Sequence, residues 1–160
     1  MDTSEKMQAV HHPRGRYFEE FEIGSTVVSA GRTITETDIV NFAGLAGDYT
    51  QIHTDAEYAR QTMFGQRVAH GLLVMSVVSG LLAQLGLVEG TVIAFRELTW
   101  KFSHPIFIGD TIHAQITIAE HRAIPRLGGG SVSFDLDVIN QDDKVVQHGR
   151  WVVLVTSRPI

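Results

Sequence analysis

The chain has no cysteine among its 160 residues. That excludes a disulfide framework and a thiolate metal site, and it fits a reducing compartment. A cytoplasmic protein is the expectation. Positive charge is also scarce: 13 Lys and Arg stand against 18 Asp and Glu, a formal net charge of -5. No basic stripe with interleaved aromatics is present, so a nucleic-acid partner is not expected. Residues 1–16 lack an apolar run and read as a loose polar tail rather than a signal peptide, with His11 and His12 solvated. One run, "HGLLVMSVVSGLLAQLGLV" from His70 to Val88, lacks Asp, Glu, Lys and Arg. Its length is near the spanning threshold of about 18 to 20 residues. However, it contains Ser76, Ser79, Gly80, Gln84 and Gly86 and has no basic anchors at its ends. A buried helix, with no membrane partner, is the better expectation.

What remains is a slightly apolar globular composition, 44% hydrophobic and 19% charged. Residues 17–160 are expected to form one domain. Gly24–Arg32 reads as a first strand. Thr35 or Thr37 caps a short helix whose apolar face holds Ile39, Val40, Phe42, Ala43 and Ala46, and Gly47 stops it. Thr54-Asp55-Ala56-Glu57 fits a capping box, so a second helix should begin there. The apolar helix follows and ends near Gly86. After Gly90 the pattern changes to strands. Ile112, Ala114, Ile116 and Ile118 alternate with polar residues, as do Val132, Phe134, Leu136 and Val138, and "NQDDK" makes a hairpin turn. The expected class is α+β: a curved antiparallel sheet wrapped around the apolar helix, the hot-dog architecture.

Chemistry concentrates in "GDYTQIHTD", Gly47–Asp55. Asp48 and His53 are five residues apart, a spacing no helix or strand would bring to one face. A constrained turn could. His53 precedes Thr54, the expected cap, and so should lie beside the positive end of a helix dipole. His70-Gly71 opens the apolar helix, whose first N–H groups have no internal acceptor. Such an N–H suits a thioester oxygen as charge develops on it. Ser79 lies about two turns on and can simply bond back to a carbonyl one turn earlier. His53, Asp55 and Asp48 match no standard metal spacing. The glycines of "RLGGGS" read as a flexible turn. His104 reads as a loop residue; His113, His121 and His148 are strand residues on the surface or packed.

"FAGLAGDYTQIHTDAEYA" from Phe42, "FGQRVAHGLL" from Phe64 and "FSHPIFIGDTI" from Phe102 resemble the MaoC-like dehydratases, the R-specific enoyl-CoA hydratases. The family pattern is roughly G-D-x-N-P-x-H-x-D, then a downstream H-G, then F-x-x-P-V-x-x-G-D-T. The resemblance implies a hot-dog fold, a homodimer or larger homo-oligomer, and reversible addition of water to an α,β-unsaturated acyl-CoA to give an (R)-3-hydroxyacyl-CoA. It implies no metal or redox cofactor; coenzyme A is part of the substrate. By position, Asp48 and His53 match the catalytic pair, with Asp48 favoured as base and His53 as proton donor. Gly71 matches the glycine that meets the thioester oxygen, and Ser79 a supporting serine. His70 and Thr50 are further candidates for the oxyanion and substrate site. Where the family has Asn-Pro, this chain has Thr50-Gln51. A hot-dog thioesterase is one rival, but that chemistry wants a carboxylate on or near the central helix, and His70–Val88 has none. A non-catalytic acyl-CoA-binding or assembly subunit is another.

Overall fold

The computed structural model describes residues 14–159. Its six strands form one antiparallel sheet in the order β1-β4-β5-β6-β3, with β2 also pairing β4. The strands are β1 Thr26–Val28, β2 Arg32–Thr33, β3 Val92–Phe102, β4 Thr111–Ile124, β5 Gly129–Asn140 and β6 Val145–Thr156. The helices are α1 Glu36–Ala46, α2 Gln51–Thr54, α3 Ala56–Arg60 and α4 Gly71–Leu85. This is the hot-dog fold, with α4 laid in the concave face of the sheet.

The alternation in β4 and β5 sets that face. Ile112, Ala114, Ile116, Ile118, Val132, Leu136 and Val138 are almost wholly buried, and Phe134 nearly so. They meet Leu73, Val74, Val77, Val78 and Leu81 of α4 in a single core. The opposite face of α4 is not covered. Leu72, Ser76, Ser79, Gly80, Ala83 and Gln84 are exposed, so the expected all-round burial holds for only half of the helix. The neighbouring edge strand β3 is bare as well, with Val92, Ile93, Phe95, Leu98 and Phe102 all exposed.

Three local expectations are corrected. The single first strand is two short ones. Between them the Ser29 hydroxyl accepts the Ala114 N–H and donates to the Ala30 carbonyl, which interrupts the ladder. Helix α1 starts at Thr35, whose capping box uses Asp38, and stops at Gly47 with φ 74°. Ile39 and Ala43 are buried and Phe42 half-buried, but Val40 and Ala46 point to solvent. Thr54 does not cap α3. Asp55 does, its Oδ1 accepting the N–H groups of Glu57 and Tyr58 at 3.0 and 2.9 Å. A carboxylate is the stronger acceptor at a helix start, and Thr54 is spent inside α2, donating to the Tyr49 carbonyl. Residues 1–13 of the expected tail lie outside the described residues. Within the rest of it, the N–H groups of Gly15 and Arg16 donate to the carbonyls of Glu89 and Leu87, both at 2.8 Å.

Candidate functional site

Helix α2 is a single turn, and what fixes it is main chain from the segment before α4. Val68 donates its N–H to the Ile52 carbonyl at 3.1 Å, and the Val68 carbonyl accepts from His53 Nδ1 at 2.7 Å. Two opposed bonds between the same two stretches leave α2 little freedom. Val68 and Ala69 are held in turn by the loop after β3: Val68 bridges Phe107, and the Ala69 N–H donates to the Ile106 carbonyl. That loop is locked by Asp110, whose Oδ2 accepts the Phe107 N–H at 2.8 Å. The "FSHPIFIGDT" stretch therefore acts as a buttress under the site.

His53 is buried and sits in the last turn of α2, ahead of the Asp55 cap of α3 rather than next to a Thr54 cap. A carbonyl can only accept, so Nδ1 of His53 carries a hydrogen and Nε2 is the atom left open. Asp48 stands in the loop after Gly47, partly exposed. Its Oδ1 accepts the Thr50 N–H at 3.1 Å and the Thr50 hydroxyl at 2.6 Å. The Thr50 hydroxyl bond, then the Thr50 N–H, hold the Asp48 carboxyl below its usual range, against a small desolvation effect, with His70 and His53 adding a little. Asp48 is thus ionised at neutral pH. Thr50 turns its hydroxyl to Asp48 rather than outward.

Ligand atoms of Asp48, His53 and His70 all lie within 4.8 Å of one another. The turn does bring the acid and the imidazole together. Proximity alone would allow one metal ion. Yet the rings of His53 and His70 stack, with centroids 3.9 Å apart and planes 28° apart. One nitrogen of each ring is also spent on a main-chain carbonyl, His53 Nδ1 on Val68 and His70 Nε2 on Asp48, which leaves a single nitrogen per ring for any ligand. Asp55, weighed as a third ligand, is spent on capping α3.

Gly71 is the first residue of α4, and no side chain caps that end. Its N–H is one of those without an intrahelical acceptor. The absence of a side chain has a local cause: a Cβ there would lie 2.7 Å from Cε1 of Phe102. Phe102, 55% exposed, thus forms a wall beside this N–H. Ser79 is not brought to the cluster. It lies about 12 Å along the axis from Gly71 by the rise of an α-helix, donates to the Ser76 carbonyl at 2.8 Å, and borders an apolar cavity of about 640 Å³. Leu82, Val92, Phe95, Phe134 and Trp151 also line that cavity. Sequence reasoning missed the parts played by Val68, Phe102 and the cavity. Val68 contributes only main chain, and the other two depend on strands folding back over α4.

An antiparallel sheet wrapped around an apolar helix is the hot-dog fold, and in this chain an acid and two histidines gather at the start of that helix. Residues 20–137 match the MaoC like domain, and the chain belongs to that family. It is 34% identical over 142 residues to a 3-hydroxybutyryl-CoA dehydratase of Methylorubrum extorquens, covering 89% of this chain and 85% of that one. It is 37% identical over 102 residues to an (R)-specific enoyl-CoA hydratase of Rhodospirillum rubrum, covering 64% of this chain and 69% of that one. It is also 39% identical to Protein MaoC of Klebsiella aerogenes, over 66% of this chain but only 31% of that longer protein. Among solved structures, a monoamine oxidase regulatory protein from Archaeoglobus superposes with a TM-score of 0.85 at 37% identity, covering 91% of this chain and 97% of that one. No helix among the described residues is long and apolar enough to cross a membrane.

Proposed function

We propose that the protein is a hydratase/dehydratase that adds water reversibly to an α,β-unsaturated acyl-CoA, giving an (R)-3-hydroxyacyl-CoA. The observation that carries this reading is the convergence of an ionised Asp48 and an open His53 Nε2 beside the uncapped start of α4. The thioester oxygen is placed on the Gly71 N–H, which stabilises the enolate-like transition state. One water lies between Asp48 and His53. Its proton passes to Asp48 as its oxygen bonds to the β-carbon, the double-bond pair moves toward the thioester, and His53, having first taken up a proton from solvent at its open Nε2, delivers that proton to the α-carbon. Transfer of the Asp48 proton back to His53 restores the site. Dehydration runs the same steps in reverse. The step needs neither metal nor redox cofactor.

The apolar cavity along α4 suits the acyl chain. The exposed apolar strand β3 and the bare face of α4 support a homodimer, because an unpaired edge of this kind is a pairing surface. The test is spectroscopic: enoyl-CoAs of several chain lengths are supplied, and loss of the conjugated thioester absorbance is followed. Turnover no faster than without protein, at every length, sinks the reading.

A second reading is favoured by the regulatory name of the Archaeoglobus relative and by Thr50-Gln51 at the turn. In it the chain binds acyl-CoA without turning it over. Saturable acyl-CoA binding with no absorbance loss would support it.

A further inference from the structure

His70 touches the proposed site from beneath. It is only 2% exposed, and it is wedged between two rings: His53 at 3.9 Å, stacked, and Phe42 at 5.0 Å, tilted. Its Nε2 lies 3.0 Å from the Asp48 carbonyl oxygen, so Nε2 carries a hydrogen and donates. Its Nδ1 is buried without a partner. Both ring nitrogens are therefore closed to an incoming acyl-CoA: one is spent on the main chain of Asp48, the other is shut away from solvent. A residue with no open polar atom cannot hold a substrate oxygen.

We infer that His70 is a positioning residue for the Asp48–His53 pair, an inference that rests on the hydratase reading of that site. Its ring fixes the plane of the His53 imidazole, and its Nε2–H fixes the main chain that carries the Asp48 carboxylate. One side chain thus sets the relative placement of two groups that no helix or strand would align. His70 also immediately precedes Gly71, so the same residue ties both groups to the start of α4.

Two substitutions divide the roles. His70→Phe keeps a flat ring against His53 and loses the donor to Asp48. His70→Gln keeps a donor and loses the stacked ring. The measurements are steady-state kinetics on a short enoyl-CoA and the ¹⁵N spectrum of the His53 ring, assigned by its loss in His53→Gln. In the natural protein the His53 ring is expected to show a single tautomer, protonated on Nδ1. His70→Gln is expected to let the unstacked His53 ring turn off the Val68 carbonyl, which averages its tautomers and lowers kcat by about 10²-fold, with KM changed less than about threefold. His70→Phe is expected to keep the tautomer and still lose kcat, because Asp48 is loosened. The inference is overturned if His70→Gln leaves the His53 spectrum and kcat unchanged, or if either variant raises KM with kcat intact. The ring spectrum needs no turnover. If the natural protein hydrates nothing, the hydratase reading falls, while the spectrum still reports whether His70 positions His53.

Discussion

The two ends of α4 are built on opposite principles. At the first end, polar groups crowd together: Asp48, His53 and His70 converge, each held by named hydrogen bonds. At the other end, Leu82, Phe95, Phe134 and Trp151 surround open space. Between them the buried face of the helix, Val74, Val77 and Val78, is ordinary core. A crowded polar end fixes reacting atoms to a fraction of an ångström, which is what chemistry requires. A roomy apolar end discriminates only by size and does so weakly. In the proposed function the reaction belongs to one end of the helix and the choice of acyl chain to the other.

The largest expected effect lies at the crowded end. Asp48→Asn should lower kcat by about 10² to 10⁴-fold while leaving the melting temperature within about 2 °C. Asp48 is partly exposed and its carboxylate bonds to Thr50, a contact that an amide oxygen can keep, so an equal loss of stability and turnover would make the polar end structural. Next comes Gly71→Ala. The new methyl meets the ring end of the exposed Phe102, which must swing aside, and the cost should be about 1 kcal/mol or less in denaturant unfolding. Adding Phe102→Ala should recover most of that cost, whereas no recovery would show that Gly71 is constrained by something else.

A smaller effect on turnover is expected at the roomy end. Leu82→Trp should fill part of the cavity and shift preference from longer to shorter enoyl-CoAs by about tenfold. An unchanged ranking in a chain-length panel would detach the cavity from the substrate. The smallest concerns Thr50→Val, which removes the first cause of the depressed Asp48 pKa. In the natural protein the ionised form persists down to a pH below the ordinary carboxylate range, so its contribution to stability and activity is lost only as pH falls through that low folded pKa. In the variant the acid limb of the pH–rate profile should move to higher pH, with little change near pH 7.

Much of this was legible in the sequence. The period-two pattern of β4 and β5 specified which side chains meet α4, since a one-residue slip would turn them all to solvent. Gly47 marked the end of α1, and the turn after it paired Asp48 with His53. Helix α2 was not legible, because four residues carry no periodicity. The stacking of His70 on His53 was hidden for another reason: it arises from tertiary closure through Val68 and Ile106, which leaves no local trace. The bare face of α4 was also misread. Apart from Leu72 its residues, Ser76, Ser79, Gly80, Ala83 and Gln84, are small or polar and share one side of the helix, a weak amphipathic pattern that the apolar average of the run conceals.

Gly15 has one more consequence. A Cβ at that position would lie 2.5 Å from the Glu89 nitrogen, so the chain passes Glu89 through a slot that fits only glycine. Arg14, just outside that slot, borders the apolar cavity. A group attached at residue 14 is therefore tethered at the cavity's rim, at an effective concentration that reaches the millimolar range for a short flexible linker. An apolar label carried by Arg14→Cys would act as a built-in competitor, and the same label on an exposed position away from the cavity, compared under the same assay, would expose it.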